Sequence, residues 1–188
     1  LSMIPYDLRT SEMNRLIEGI VKLVVQEQNE DGSWYYFSKQ HMNKWGDKPS
    51  IDCHHTGTIL NNLINILNSN SLEKDLEDVI TESINKGMRY YINNFFNLKT
   101  GKAKQIIGYL RPAGPVQYAE AILAFCEYLT CKRLDDREIK IQIKELLPKV
   151  VNIIALFINI ENGSVPSEKV IKWINIDSIR WGNGPVLQ

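Results

Sequence analysis

Cysteine is scarce in this chain: Cys53, Cys126 and Cys131 are the only three, an odd number with no repeating spacing. That excludes a disulfide framework and fits a reducing compartment. The thiols are expected to be free and buried, behaving as small apolar groups. There is no surplus of either charge. Lys and Arg total 22, as do Asp and Glu, so no net field draws nucleic acid or an anionic membrane. A charged ligand then has to be held by a local arrangement. No apolar run approaches the ~20 residues that span a bilayer. The stretch Leu1 to Tyr6 lacks the basic-then-apolar order of a signal peptide, and the expected location is cytoplasmic. A Gly-rich phosphate loop, a G-x-S-x-G elbow and an H-E-x-x-H string are all missing. Neither the Cys126–Cys131 spacing nor the histidines match a zinc site. Asp52, Cys53, His54 and His55 are consecutive and cannot all point at one ion, so no metal and no cofactor is expected.

What the chain does have is helical spacing almost throughout. Its 44% hydrophobic and 23% charged residues are those of a globular protein. A length of 188 residues can bury one sizeable core, and a single domain over 1–188 is expected. Leu16, Ile17, Ile20, Val21, Leu23 and Val24 follow helical spacing behind Thr10 or Ser11 as cap, and Asn29-Glu-Asp-Gly32 stops them. A loop carrying Trp34, Tyr35, Tyr36 and Trp45 leads to a second helix from about Asp52, with Ile59, Leu60, Leu63, Ile64 and Leu67. A third runs from about Leu72 to Phe95. After a loop over 97–114, a fourth starts near Pro115, a residue suited to a first turn, with Ala119, Ile122, Leu123 and Cys126 as its apolar line. A fifth covers about 136–159, where Pro148 is expected to kink or divide it. A loop from Glu161 to Asp177 precedes Arg180-Trp181, where a sixth helix could begin; the eight residues that follow are too few for a stable helix.

The order repeats: a long helix, a loop opening with glycine, then a second helix. The marker glycines Gly32, Gly101 and Gly163 lie 69 and 62 residues apart. Paired helices at such a period indicate hairpins that complete one another's core. Gln28-Asn-Glu-Asp-Gly32-Ser-Trp34, preceded by Gly19 and Leu23, has the form Q-x3-G-x-W. It resembles the QW motif of terpenoid-cyclase and protein-prenyltransferase toroids, in which the Gln and Trp tie an outer helix to the following turn. Gly87, Tyr90, Tyr91, Phe96 and Gly101 resemble a weaker copy. Asp31-Gly-Ser-Trp34, Ile51-Asp52-Cys-His-His55-Thr56-Gly57 and Arg180-Trp181 together resemble a group of bacterial toroid proteins linked to extracellular-polysaccharide biosynthesis. The fold the resemblance implies is all-α, with helical hairpins forming part of an α/α toroid. A full ring has about six hairpins. The chain supplies about three, so the reading is half a ring: a fragment of a larger toroid, or an open array that pairs with the missing half or self-associates. Six-hairpin carbohydrate-active proteins use a similar barrel.

In such an array every inner helix starts at one rim. Asp52 to Thr56, Pro112 to Glu120 and Arg180-Trp181 should therefore converge. Asp52 and His55 are the catalytic candidates, because an Asp-oriented imidazole can act as base or acid near neutral pH. The competing reading makes Asp52 a helix cap and His55 part of the wall. His54 is a ligand-binding candidate beside them. Arg180 and Trp181 can fork onto an anion and stack on a ring, or hold a helix through a cation–π contact. Trp34 is read as the structural tryptophan, leaving Tyr36 and Trp45 as the exposed ligand surface. Glu120, with Gln117, is the second acid, or else a solvated or capping residue. No D-x-D-D string occurs, and Asp135-Asp136 is followed by Arg137-Glu138-Ile139, so the acidic motifs of isoprenoid chemistry are missing. Three functions remain open: a carbohydrate-handling protein, including an enzyme that modifies or cleaves a polysaccharide during its biosynthesis; an isoprenoid-binding, cyclase-like toroid; and a non-catalytic binding scaffold. The expected partner is a small-molecule or oligosaccharide ligand, with no nucleic acid and no membrane span.

Overall fold

The computed structural model describes residues 8–69, 72–158, 168–171 and 174–176, except that the side chains of Trp45 and of the residues after 158 fall outside the description. Six helices follow one another: α1 (Ser11–Glu27), α2 (Lys39–Trp45), α3 (Cys53–Asn68), α4 (Lys74–Phe95), α5 (Pro115–Thr130) and α6 (Arg137–Ala155). Their starts are set chemically. Thr10 accepts from Met13 N at 3.2 Å, Asp52 accepts from His55 N at 2.9 Å, and Asp136 accepts from Glu138 N and Ile139 N. Among the described residues no helix is long and apolar enough to cross a membrane.

Three features differ from the sequence reading: the content of the aromatic loop, the pairing after Glu161 and the exposure of one cysteine. The aromatic loop contains α2, closed by a Ser38 cap and a left-handed Gly46. Lys-Gln-His-Met-Asn-Lys-Trp has no apolar stripe, so periodicity does not reveal it. Of the two outcomes open at Pro148, division does not occur: the residue lies inside one α6. Between Glu161 and Asp177, β1 (Glu168–Ile171) and β2 (Ile174–Ile176) pair antiparallel. Cys126 is exposed, while Cys53 and Cys131 are buried, and all three are free. Gly163 and the Arg180-Trp181 helix start lie outside the described residues.

α3 lies along α5, α4 packs on α3, and α6 packs on α5, while α4 also touches α1 and α6. The helices therefore form two layers, α3 and α5 in one and α1, α4 and α6 in the other. Tyr91, Phe95, Phe96 and Phe125 fill the space between them at ring separations of 5.2–5.9 Å. Such aromatic pairs add ~0.5–1.5 kcal/mol each beyond the area they bury. On α5 the expected Ala119 and Phe125 are buried, together with Tyr118, Ala121, Ala124 and Tyr128, whereas Ile122 and Leu123 of the expected line are half-buried and Cys126 is exposed. A helix with apolar groups on most of its circumference gives periodicity no face to choose.

The glycine turns are built alike. Gln28 Nε2 donates to Gly32 O and Ser83 O, both at 3.0 Å, and Ser83 Oγ donates back to Gln28 Oε1 at 2.8 Å. Trp34 Nε1 donates to Val24 O at 2.9 Å, so the indole ties the turn to the end of α1. Gly32 has φ +92°, and a Cβ there would overlap the Lys86 carbonyl of α4. A Cβ on Gly87 would stand 2.5 Å from the Trp34 ring, which fixes why a helix interior carries glycine there. One repeat later, Gly101 (φ +75°) lies against Lys149 and Val150 of α6, where a Cβ would stand 2.7 Å from the Lys149 Cβ. Each turn thus seats on the next helix of the α1–α4–α6 layer: α1's turn on α4, and α4's turn on α6.

Candidate functional site

Backbone pairing brings the starts of α3 and α5 to one edge. Cys53 N donates to Gln105 O and Ile107 N donates to Ile51 O, both at 2.9 Å, while Ala113 N donates to Ala103 O at 3.0 Å. Tyr118 OH accepts from Ala103 N at 2.9 Å, and Gln117 Oε1 accepts from Gly114 N at 2.8 Å. The segment before α3 and the loop before α5 are therefore one hydrogen-bonded net, and two of the three expected helix starts share a rim. The third, Arg180-Trp181, lies outside the described residues.

On that rim Asp52 does two jobs. One oxygen caps α3 through His55 N, and both oxygens stand 2.9 Å from His55 Nδ1. A carboxylate can only accept, so in the neutral form of the imidazole Nδ1 carries the proton and Nε2 keeps its lone pair. Asp52 is mostly shielded, while His55 is half-exposed. The hydrogen bond that His55 donates to Asp52 is the main cause that raises the His55 pKa above its ordinary 6.5, against the opposing effect of partial burial. Tyr36 meets the His55 ring edge-on, with centroids 4.4 Å apart, and its own N–H is fixed to Ser50 O at 2.8 Å.

Glu120 arrives from α5. It is neither solvated nor a cap: its side chain is only 14% exposed, and the capping is done by Gln117. Gly57 on α3 makes room for it, since a Cβ at that position would stand 3.2 Å from the Glu120 Cβ and 2.8 Å from Tyr91 OH. Burial raises the Glu120 pKa, while Thr58 and His55 pull the other way. His54 Nδ1 lies 4.0 Å from Glu120 Oε1. That is too long for a hydrogen bond, and burial with the neighbouring His55 lowers the His54 pKa. His54 and Glu120 are thus shifted in opposite directions, the imidazole toward its neutral form and the carboxyl group toward its protonated one.

Beneath the rim, Cys53 Sγ stands 3.5 Å from Tyr91 OH. Burial pushes the Cys53 thiol up to about 12, so it stays protonated and is not a nucleophile. Among the described residues no three His, Cys, Asp or Glu groups are placed to hold a metal ion. Beside Tyr36 the structure adds residues that the sequence reading did not select. Phe37 packs on Tyr36 at 4.7 Å and stacks on His41 at 4.6 Å, and His41 Nε2 lies 2.8 Å from Asp47 Oδ2. The available signal was numerical: the chain has three histidines, and all of them belong to this surface. Trp45 ends α2 on the same segment, though its side chain lies outside the described set.

No known protein family, curated protein or solved structure matches this chain.

Proposed function

We propose that the rim formed by the starts of α3 and α5 is the ligand site of a carbohydrate-handling protein, and that His55 exchanges a proton with a polysaccharide there during its biosynthesis. One observation carries this reading: Asp52 fixes the tautomer of a half-exposed imidazole whose ring also touches Tyr36. Such an imidazole is a general base at Nε2. Glu120 supplies a carboxyl group with a raised pKa, and His54, whose pKa is lowered, a hydrogen-bonding group suited to a hydroxyl. Tyr36 offers a ring face to a sugar. A hydrolase that places two carboxylates across the scissile bond fits less well, because both Asp52 oxygens are already committed to His55. The two-layer hairpin array supports a wider reading, in which the chain is one domain making up about half of an α/α toroid. Arg180 and Trp181 would then join this rim as the anion-binding fork and the stacking ring. Three free thiols agree with a cytoplasmic setting.

A second reading has its own observation. Asp52 caps α3, a task it would perform in a non-catalytic scaffold as well. An isoprenoid site has less support, because Tyr91, Phe95, Phe96 and Phe125 pack on one another in the core.

A tryptophan-fluorescence titration of the full chain separates these readings. Neutral and uronic-acid oligosaccharides are compared with a prenyl diphosphate. Saturable binding of an oligosaccharide is expected, weakened about tenfold or more by Glu120→Gln or His55→Ala, as loss of one hydrogen-bonding partner to the ligand implies. Binding of the diphosphate alone would sink the carbohydrate reading, and silence from every ligand would favour the scaffold.

A further inference from the structure

Among the described residues α2 is a seven-residue helix that packs closely on none of the others. A helix so short does not hold its shape in water by itself. Two acceptors meet its first turn. Ser38 Oγ accepts from His41 N at 3.1 Å, which is a local cap. Glu27 Oε2 accepts from Lys39 N at 2.8 Å, and this acceptor comes from another helix. A carboxylate on a backbone N–H makes a charge-assisted bond, stronger than its neutral counterpart. Glu27 is the last residue of α1, and that end of α1 is itself fixed. Gln28 bonds to Ser83 of α4, and Val24 O accepts from the Trp34 indole. Glu27 is therefore a firm point from which α2 is moored.

From α2 a row of rings leads to the rim. Phe37 stacks on His41 at 4.6 Å, Tyr36 meets Phe37 edge-on at 4.7 Å, and Tyr36 meets His55 edge-on at 4.4 Å. The Tyr36 backbone is held separately, by its bond to Ser50 O and by buried Trp34 two residues earlier. Its ring lies between Phe37, which is joined to α2, and His55, which belongs to α3. We propose that Glu27 is a positioning residue of the rim: its bond to Lys39 N seats α2, α2 seats Phe37, and Phe37 holds the Tyr36 ring against His55. The inference rests on the rim being the ligand site. It gives the Gln28–Trp34 tie a second role, as the mooring of the aromatic surface that meets the ligand. Glu27 acts through α2 and not on the ligand. The competing account, in which Ser50 and Trp34 suffice to place Tyr36, makes Glu27 irrelevant to His55.

The test is the imidazole NMR spectrum of the full chain without ligand, recorded for the wild type, Glu27→Ala, Glu27→Gln and Tyr36→Leu. An aromatic ring displaces the resonances of an imidazole in contact with it, so Tyr36→Leu calibrates the contact. Spectra on the acid and alkaline plateaus of the titration keep protonation out of the comparison. Glu27→Ala is expected to reproduce most of the His55 displacement seen with Tyr36→Leu. Glu27→Gln keeps an acceptor oxygen and should restore most of the wild-type position. Far-UV circular dichroism should change little, since α2 contributes only seven helical residues. His55 resonances that stay at their wild-type positions in Glu27→Ala overturn the proposal, as does a Tyr36→Leu spectrum in which His55 has not moved. A displacement as large in Glu27→Gln as in Glu27→Ala also overturns it, because the hydrogen bond would then not be the cause. No sugar is present, so a failure of the carbohydrate reading leaves these spectra unchanged.

Discussion

Trp34→Ala is expected to destabilise the protein by about 3–5 kcal/mol, the range for truncating a buried large aromatic. The indole is 4% exposed, and its N–H is bonded to a carbonyl in the last turn of α1, a position where helix carbonyls lack an internal partner. Its ring lies on Gly87, so truncation opens a cavity bounded by two helices, which can close only if α1 shifts against α4. Gln28→Ala removes three side-chain hydrogen bonds and should cost less, about 1 kcal/mol for each bond. Urea unfolding followed by circular dichroism measures both. A loss below about 1 kcal/mol for Trp34→Ala would show that the turn does not anchor α1, since that is the range of removing a single methyl group from a core.

With a turned-over polysaccharide in hand, His55→Ala should lower kcat/KM by about 10²–10⁴-fold, the usual contribution of a positioned base. The pH dependence carries the mechanism. A base works when unprotonated, so the rate should rise with pH through the His55 pKa, which the Asp52 hydrogen bond holds above 6.5. Asp52→Asn keeps a good helix cap but removes the charge. It should move that limb to lower pH and reduce the plateau. A profile that does not move would mean that Asp52 serves the helix alone. The stability sign follows from the same shift. A histidine whose pKa is raised on folding adds stability that is present below 6.5 and lost as pH rises through the folded value. The stability gap between wild type and Asp52→Asn should therefore narrow from pH 6 to pH 8. It should not exceed about 1 kcal/mol, because His55 is half-exposed and screened by solvent.

The helix starts were legible because capping is local chemistry: Asp52 and Pro115 announce α3 and α5 within a few residues. The Gln28–Gly32–Trp34 tie was legible for a similar reason, since its spacing is set by one turn. Glu120 was harder. Nothing in its neighbours along α5 says that it is buried; that follows from Gly57, on another helix, leaving room for it. The contact of Tyr36 with His55 joins a loop to a helix and left no trace in the periodicity. The burial of α1 shows the general limit. Leu16, Ile20 and Leu23 have the spacing of a covered stripe yet are exposed, while Ile17 and Val21 beside them are buried; spacing cannot say which apolar face the other helices cover.

The central claim is that His54 and His55 form a ligand-facing rim with opposed proton affinities. Imidazole NMR spectra of the three histidines, recorded against pH with and without a saturating oligosaccharide, test it most directly. The account predicts that His55 titrates above 6.5 and His54 below it. Both resonances should shift when the sugar binds. A reversed order of titration, or sugar-induced shifts that spare both rings, would contradict it.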